Sequence, residues 1–226
     1  MLCIIQARYS SKRLPGKVLK KIYGTELLKR VYNQVKKSKK IKKIIIATSN
    51  SNNDKKIVFF CKKNNFDFFC GPLNNVFKRF YLIIKKESCK SFVRVSADSP
   101  FIDPKIIDKA INLSNYKKYD IVTNVFPRTF PKGFSVEVIK SKILKKFLYK
   151  IKNRDDQEHL TKYFYKNYNK FKIYNIFNKS NLAEINLSID TDNDLIMAKK
   201  IIKVCKKNNF TVNDIVKEYK KIIYDK

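Results

Sequence analysis

The sequence predicts an α/β protein built on a mostly parallel sheet that helices cover on both faces. Three observations lead to this prediction. Short apolar runs alternate with segments of helical periodicity, most of the few glycines and prolines fall between them, and 226 residues are enough for a sizeable core. Strands separated by helices of this length are joined by right-handed crossovers, so successive strands should run parallel.

The predicted elements of the first 125 residues follow in order. The runs "LCIIQ" (2–6) and "KKIIIAT" (42–48) are continuous and apolar, which is typical of strands buried on both faces. Between them, apolar residues at helical spacing predict a helix over about 25–38. The alternation continues with predicted strands at 67–70, 91–97 and 120–124 and predicted helices at 54–65, 74–86 and 104–114. We interpret residues 1–125 as a nucleotide-binding half.

The alternation breaks at residue 126. The irregular segment "FPRTFPKGFSVEV" precedes two predicted helices (141–151 and 155–168), the predicted strands "FKIYNIF" and "EINLSID", and two terminal helices within 191–226. We expect residues 126–190 to form a lobe that covers the carboxyl ends of the strands and returns a strand to the sheet. This lobe is also the candidate surface for a homodimer. We expect the whole chain to form a single domain.

The formal net charge of +32 indicates either a polyanionic partner or a basic surface without one. The lysines are spread along every predicted helix, and only seven of the 51 basic residues are arginines. A dedicated nucleic-acid site would concentrate arginine, which binds phosphate and guanine bidentately. We therefore expect a solvated basic surface and no dedicated nucleic-acid partner. A non-catalytic nucleic-acid-binding protein stays as an alternative, and it predicts salt-dependent binding to any duplex.

Membrane and disulfide-rich classes find no support in the sequence. No run of about 18 uncharged apolar residues occurs, and the N-terminus lacks a signal-like segment. The five cysteines are scattered and never in CxxC spacing, so neither a disulfide framework nor a zinc site is indicated. We expect a cytoplasmic protein without a membrane partner.

The loop "RYSSKRLPGK" (8–17) directly follows the first predicted strand. Ligands of a parallel sheet bind beyond the carboxyl ends of its strands, so this loop and the segments "TSNSN", "CGPLNN" and "ADSPFIDP" should face one crevice. The loop's cations, its serine hydroxyls and the amides around Gly16 suit a polyphosphate. Neither a Walker loop nor GxGxxG is present. The alternative for the loop alone is a solvated basic turn.

Two aspartates follow predicted strands and are candidate metal ligands. Ser99-Pro100 should hold the carboxylate of Asp98 at a strand tip, and Asp190 lies between a predicted strand and a predicted helix. Two carboxylates near a triphosphate suit Mg²⁺, which takes its remaining ligands from phosphate and water. The alternative is that both aspartates only cap helices.

Seven segments carry a family resemblance. They are "IIQARYSSKRLPGKVL", "IIIATSNSNND", "CGPLNNVFKRF", "VRVSADSPFIDPKIID", "PRTFPKGFSVEV", "QEHLTKYF" and "LSIDTDNDL". In this order they resemble the cytidylyltransferases of the spore-coat polysaccharide biosynthesis type, which are related to 3-deoxy-manno-octulosonate and N-acylneuraminate cytidylyltransferases. The resemblance covers residues 2 to 205. It implies a Rossmann-like nucleotide-diphospho-sugar transferase fold. It also implies Mg²⁺-dependent transfer of CMP from CTP to a sugar acid, a nonulosonate or similar 2-keto sugar, with release of pyrophosphate, for surface polysaccharide biosynthesis.

The resemblance also implies roles for individual residues. The triphosphate would be bound by Arg8, Ser11, Lys12, Arg13 and Lys17. The metal ligands would be Asp98 and Asp190, and the catalytic residues Arg8, Lys17 and Asp98. The base and ribose would be enclosed by Ala7, Thr48, Ser49, Gly71 and Arg79. The acceptor would be bound by Arg128, Lys132, Glu137, Glu158 and His159. Taken alone, His159 reads as a packed or capping histidine, and Arg79 and Arg128 read as surface cations.

Two positions depart from the family's usual pattern. Asn75 stands where an aspartate is common, which bears on nucleotide choice, and Ser135 replaces an acid, which bears on acceptor identity. Alternatives within the class are a nucleotidyltransferase that acts on a non-sugar phosphate or uses another NTP. A nucleotide-binding module without turnover is an alternative of another class.

Overall fold

In the computed structural model, which describes residues 1–116, 119–205 and 210–224, the apolar runs form a seven-stranded sheet. Its strand order is β5-β4-β1-β6-β8-β7-β9, and β2 and β3 form a separate two-stranded hairpin. The strands are β1 (Leu2–Gln6), β2 (Lys21–Ile22), β3 (Thr25–Glu26), β4 (Lys43–Ser49), β5 (Phe68–Gly71), β6 (Ser91–Ser96), β7 (Ile121–Thr123), β8 (Glu137–Lys140) and β9 (Ile173–Asn175). The helices are α1 (Leu27–Lys36), α2 (Lys55–Lys63), α3 (Val76–Lys86), α4 (Pro104–Tyr116), α5 (Ser141–Phe147), α6 (Arg154–Glu158), α7 (Lys162–Lys166), α8 (Asp192–Val204) and α9 (Val212–Tyr224).

The sheet is mostly parallel. Strands β1, β4, β5 and β6 run in one direction, with Leu2 opposite both Lys43 and Phe92. Strand β8 enters antiparallel between β6 and β7, and β9 pairs parallel with β7. The prediction of a mostly parallel sheet is confirmed, and the loops that follow β1, β4, β5 and β6 leave from the same edge.

Side chains of β1 alternate between two apolar clusters, one on each face of the sheet. Cys3 and Ile5 belong to a cluster formed with α1, α2, α4, α8 and α9. Leu2 and Ile4 belong to the opposite cluster, formed with α3, α5 and α7. Because strand side chains point to alternate faces, a strand without polar positions needs cover on both sides. The prediction of helices on both faces is therefore confirmed.

Several predicted elements differ from the structure. The predicted helix at 141–151 ends at Phe147. The predicted helix at 25–38 begins only at Leu27, because Gly24 (φ 76°) makes the turn of the β2–β3 hairpin. The predicted helix at 155–168 is divided into α6 and α7, since the backbone leaves helical geometry at His159. The strand predicted at "EINLSID" is wrong, because its long-range backbone hydrogen bonds go to two separate residues, Lys132 and Asp98, and continue no ladder.

Two further predictions concern the helices. Residues 206–209 and 225–226 of the predicted C-terminal helices lie outside the described residues. In the part of the chain that the structure describes, no helix combines the length and hydrophobicity that crossing a bilayer requires.

Candidate active site

The loop after β1 is closed by hydrogen bonds around Tyr9. The carbonyl of Tyr9 accepts from the amides of Ser11 (2.9 Å) and Gly16 (2.8 Å). Gly16 has a φ of 69°, and a Cβ there would lie 2.8 Å from Cζ of Tyr9, so both backbone and space require glycine. The loop is thus a preformed turn that leaves Arg8 and Lys12 exposed.

Asp54, which the sequence analysis did not single out, anchors this loop. Its buried carboxylate accepts from the amide of Tyr9 (2.7 Å) and from the amide (3.0 Å) and hydroxyl of Ser49. The loops after β1 and β4 are therefore joined by one buried group. The only sequence signal was an acidic residue in the motif "IIIATSNSNND", where a cap for the next helix would also be acidic.

The structure brings Asp98 and Asp190 together around Lys17. The ammonium of Lys17 donates to Oδ2 of Asp98, Oδ1 of Asp190 and the carbonyl of Ile189, each at 2.8 Å. The amide of Ile189 donates to the carbonyl of Asp98 (2.9 Å), which joins the two segments through their backbones. Arg13 lies 3.1 Å from the second oxygen of Asp190.

These contacts shift the pKa values of the charged groups. Burial by itself would lower the pKa of Lys17, but the charge of Asp98 and the hydrogen bonds of both carboxylates outweigh it and raise the pKa. Burial would likewise raise the pKa of Asp190, but Lys17 and then Arg13 outweigh it and lower the pKa. Lys17 and Asp190 are therefore both ionised at neutral pH.

The acidic pair has the donor set that Mg²⁺ uses with nucleotides. No group of three or more His, Cys, Asp or Glu side chains suited to a metal occurs among residues 1–116, 119–205 and 210–224. Two carboxylates suffice for Mg²⁺ when phosphate and water supply its other ligands, so Asp98 and Asp190 fit this ion. Lys17 contacts one oxygen of each carboxylate, so the same two oxygens cannot serve the ammonium and a metal together.

A cleft of about 380 Å³ lies above this cluster. It is lined by Gln6, Arg8, Ser11, Lys12, Arg13, Lys17, Val18, Ser96, Ala97, Asp98, His159 and Asp190. Arg8 also pairs with Glu158 (2.8 Å) at the end of α6, with both side chains about half exposed. Glu158 thus holds a cation of the loop against the lobe and does not line the cleft.

Four of the residues expected around the base and ribose lie at the ends of β1, β4 and β5, and the fifth, Arg79, lies in α3. Ser49 stands opposite Gly71 in the sheet register, and the amide of Ala7 donates to the carbonyl of Ala47 (3.0 Å). A Cβ at Gly71 would lie 2.7 Å from Cγ of Arg79, so glycine is needed for the arginine to pass.

Arg79 and Thr48 each carry a buried polar atom without a partner. Nη2 of Arg79 donates to the carbonyls of Pro72 (2.7 Å) and Leu73 (3.0 Å). Nη1 of Arg79 and Oγ1 of Thr48 have no hydrogen-bond partner among the described residues. Burial lowers the pKa of Arg79 to about 10, although Asp54 opposes the shift. Buried polar groups without partners are rare, so these two atoms are candidate ligand contacts.

A second cavity, of about 490 Å³, lies between the lobe and the sheet. It is lined by Arg94, Val125, Phe126, Arg128, Ser135, Glu137, His159, Thr161, Lys162, Tyr165 and Lys166. Nη2 of Arg128 donates to Oγ of Ser135 (3.2 Å), and Nη1 is buried without a partner among the described residues. Burial lowers the pKa of Arg128, while Glu137 opposes the shift.

Glu137 forms the polar floor of this cavity. Its buried carboxylate accepts from Arg94 and from the hydroxyl of Tyr165. Burial and then the charge of Glu137 raise the pKa of Tyr165 well above its usual value, so its hydroxyl stays protonated and donates. The sequence analysis missed Arg94 and Tyr165. A charged residue inside the apolar strand "SFVRVSA" was a signal for Arg94, whereas Tyr165 had none.

The cleft and the cavity adjoin each other. A third cavity, of about 290 Å³, is lined by residues that include Asp98, Arg128 and Lys132. It shares Asp98 with the first cleft and Arg128 with the lobe cavity, and His159 lines both of these. The cations that follow β1 therefore line the first cleft, and Arg128 lines the other two cavities.

The cationic loop after β1 and the acidic pair beside it lie beyond the carboxyl ends of parallel strands, where sheets of this kind bind their ligands. The chain belongs to the cytidylyltransferase family, whose model matches residues 2–222. The resemblance and the Rossmann-like fold expected from the sequence are thus confirmed, and the protein is an enzyme of the cytidylyltransferase class.

Individual relatives agree with this assignment. A cytidylyltransferase from Leptospira borgpetersenii superposes with a TM-score of 0.93 at 30% identity, over 98% of this chain and 94% of its own. The spore coat polysaccharide biosynthesis protein SpsF of Bacillus subtilis is 29% identical over 171 residues, which cover 72% of this chain and 69% of SpsF. A CMP:2-keto-3-deoxy-manno-octonic acid synthetase, solved with CTP, has a TM-score of 0.68 at 15% identity over 89% of this chain and 98% of its own, and shares the fold.

Proposed function

We propose that the protein transfers CMP from CTP to a hydroxyl of a sugar acid and releases pyrophosphate, in the synthesis of a surface polysaccharide. The observation that carries this proposal is the set of three adjoining cavities, the first lined by cations of the loop after β1 and the other two by the partly unpartnered Arg128. The names of two relatives support it, since one acts in polysaccharide synthesis and the other forms a CMP-activated 2-keto sugar acid.

The nucleotide would lie along the ends of β1, β4 and β5. Arg8, Lys12 and Arg13 are cations without a deeply buried position, so they can turn toward the triphosphate. Nη1 of Arg79 and Oγ1 of Thr48 would gain partners from the base or the ribose. A buried donor gains most from such a bond, because its desolvation has already been incurred in the free protein.

The acceptor would lie in the lobe cavity. The free Nη1 of Arg128 would bind its carboxylate, while Glu137 would accept a hydrogen bond from one of its hydroxyls. The acceptor oxygen attacks the α-phosphorus in line, the bond from that phosphorus to the bridging oxygen breaks, and pyrophosphate leaves. The hydroxyl proton passes to water. The site's work is mainly to position the reactants and stabilise charge.

A divalent cation, for which we propose Mg²⁺, would be held by Asp98 and Asp190. When bound, it neutralises negative charge on the phosphate oxygens. The two carboxylates come from segments joined by the Ile189–Asp98 backbone hydrogen bond, so their separation is set by the fold.

A pyrophosphate-release assay tests the function. Each of the four NTPs is combined with a panel of sugar acids, neutral sugars and non-sugar phosphates, with and without EDTA. We expect release only with CTP, a sugar acid and a divalent cation. Release with a non-sugar phosphate would instead favour the alternative acceptor class, and no release with any pair would refute the proposal.

Matched variants assign the activity to the site. Asp98→Asn should lose most turnover while folding normally, because it removes a ligand charge at nearly constant volume. Asp103→Asn is the control, since Asp103 is a nearby carboxylate that is buried and caps α4 through the amide of Lys105 (2.8 Å). Equal activity in the two variants would contradict the assignment of Asp98.

A further inference from the structure

All three hydrogen-bond donors of Lys17 are used by the acidic pair and one neighbouring carbonyl. Its side chain is 10% exposed, and its three N–H donors have three acceptors at 2.8 Å: Asp98, Asp190 and the carbonyl of Ile189. An ammonium has no further donor, so this lysine has no hydrogen-bonding capacity left for a phosphate. In this state Lys17 is a counter-ion of the carboxylates and not a ligand of the triphosphate.

The charges of the cluster already balance. Lys17 and Arg13 contact the two carboxylates, which gives two positive charges against two negative ones. Mg²⁺ requires oxygens at about 2.0–2.1 Å, and one oxygen of each carboxylate already faces the ammonium. The ammonium of Lys17 would therefore repel a divalent cation, and the cluster has no net negative charge to attract one.

A triphosphate can remove this obstacle. Lys17 forms one wall of the cleft that Arg8 and Lys12 also line, so phosphate oxygens placed there lie within reach of its flexible side chain. These oxygens can replace the carboxylates as partners of the ammonium. Asp98 and Asp190 are then free to bind a cation that the same phosphates help to ligate.

We propose that Lys17 is a gate for the metal: the acidic pair binds a divalent cation only when a nucleoside triphosphate draws the ammonium away. This inference rests on the proposed function, from which it takes the metal and the triphosphate. CMP lacks the β- and γ-phosphates and would leave Lys17 on the carboxylates. The free enzyme is thereby kept from holding a metal without its nucleotide.

The test is a Mn²⁺ titration of the nucleotide-free protein, with free Mn²⁺ read from its electron paramagnetic resonance signal. The wild type should bind no more Mn²⁺ than Asp98→Asn. Lys17→Met should bind one Mn²⁺ at least about 10-fold more tightly than the wild type, since 10-fold corresponds to only about 1.4 kcal/mol. Lys20→Met, which loses an exposed lysine 3.6 Å from Asp192, should behave like the wild type.

A second readout is thermal stability. An excess of MgCl₂ should raise the Tm of Lys17→Met and leave that of the wild type unchanged, because a ligand stabilises only the state that binds it. The proposal is overturned if the nucleotide-free wild type binds one Mn²⁺ that Asp98→Asn loses, or if a folded Lys17→Met gains no Mn²⁺. If Lys17→Met does not fold, the comparison of Mn²⁺ binding between the wild type and Asp98→Asn tests the proposal by itself. Failure of the proposed function is separate, since it is read from pyrophosphate release.

Discussion

Gly71→Ala should damage the base end of the nucleotide site through Arg79. The new Cβ would lie 2.7 Å from Cγ of Arg79, which is a contact with the root of the side chain and not with its flexible end. Arg79 is 1% exposed, and its guanidinium is held by the carbonyls of Pro72 and Leu73. The arginine therefore has to shift, and its unpartnered Nη1 moves with it.

The expected magnitudes follow from these contacts. Overpacking a buried site costs about 1–3 kcal/mol of stability. A hydrogen bond from a charged donor contributes about 1.5–3 kcal/mol, so losing the contact of Arg79 should weaken nucleotide binding about 10- to 150-fold. The loss should be similar for CTP, CMP and cytidine, because Arg79 is proposed to contact the base or the ribose, which all three ligands share.

Titration calorimetry with the three ligands measures this loss, and urea unfolding measures the change in stability. Gly24→Ala is the matched control. Gly24 has a φ of 76°, and a Cβ added there would meet nothing within 4 Å, so alanine adds strain of about 1–2 kcal/mol without filling a site. Wild-type affinity in Gly71→Ala, or a loss confined to CTP, would refute this account of Arg79.

Three further results are expected. Arg128→Met should raise the acceptor KM about 10-fold or more, the value of one charged hydrogen bond, and leave the Kd for CTP unchanged; unchanged acceptor kinetics would remove Arg128 from the site. At about 0.15 M salt the Debye length is about 8 Å, so distant surface charges are largely screened. The double variant Lys36→Gln/Lys62→Gln should therefore keep the wild-type kcat/KM, while Arg8→Ala should lose about 10-fold or more in kcat/KM. Equal losses would favour a role for the whole basic surface. Because folding lowers the pKa of Asp190, its ionised form stabilises the protein above its ordinary pKa of about 3.9, and this contribution is lost as the pH falls through the lower folded value. In urea unfolding, the wild type should therefore lose its stability advantage over Asp190→Asn as the pH falls below about 3.9, and a difference that stays constant at acidic pH would contradict the ion pair.

The fold of residues 1–125 was predictable because its local and global signals agree. Strand β1 is apolar at every position that the sheet buries, and both of its faces are covered, so a single short run indicated its strand, its burial and its neighbours. The lobe lacked such agreement. "EINLSID" alternates as a strand does, yet its long-range backbone bonds are made to Lys132 and Asp98, residues far away in the chain that no local pattern indicates.

The same distinction separates the site residues. Cations and carboxylates in short loops after strands could be named from the sequence, because the sheet fixes where those loops go. The contacts that these residues make with each other could not be predicted from the sequence. The placement of Lys17 between two aspartates depends on side-chain geometry across 81 and 173 residues, and Asp54 acts through a backbone amide that carries no sequence signature.

The two departures from the family pattern, at Asn75 and Ser135, have different consequences. Asn75 accepts from the amide of Lys78 (2.7 Å) and caps α3, a role that asparagine and aspartate fill equally well. The change there leaves the nucleotide end as it was. Ser135 is neutral and occupies only one side of Arg128, whereas an acid at this position would pair with the guanidinium and compete with an acceptor carboxylate. Acceptor choice in this enzyme should therefore depend on Ser135, while CTP recognition does not.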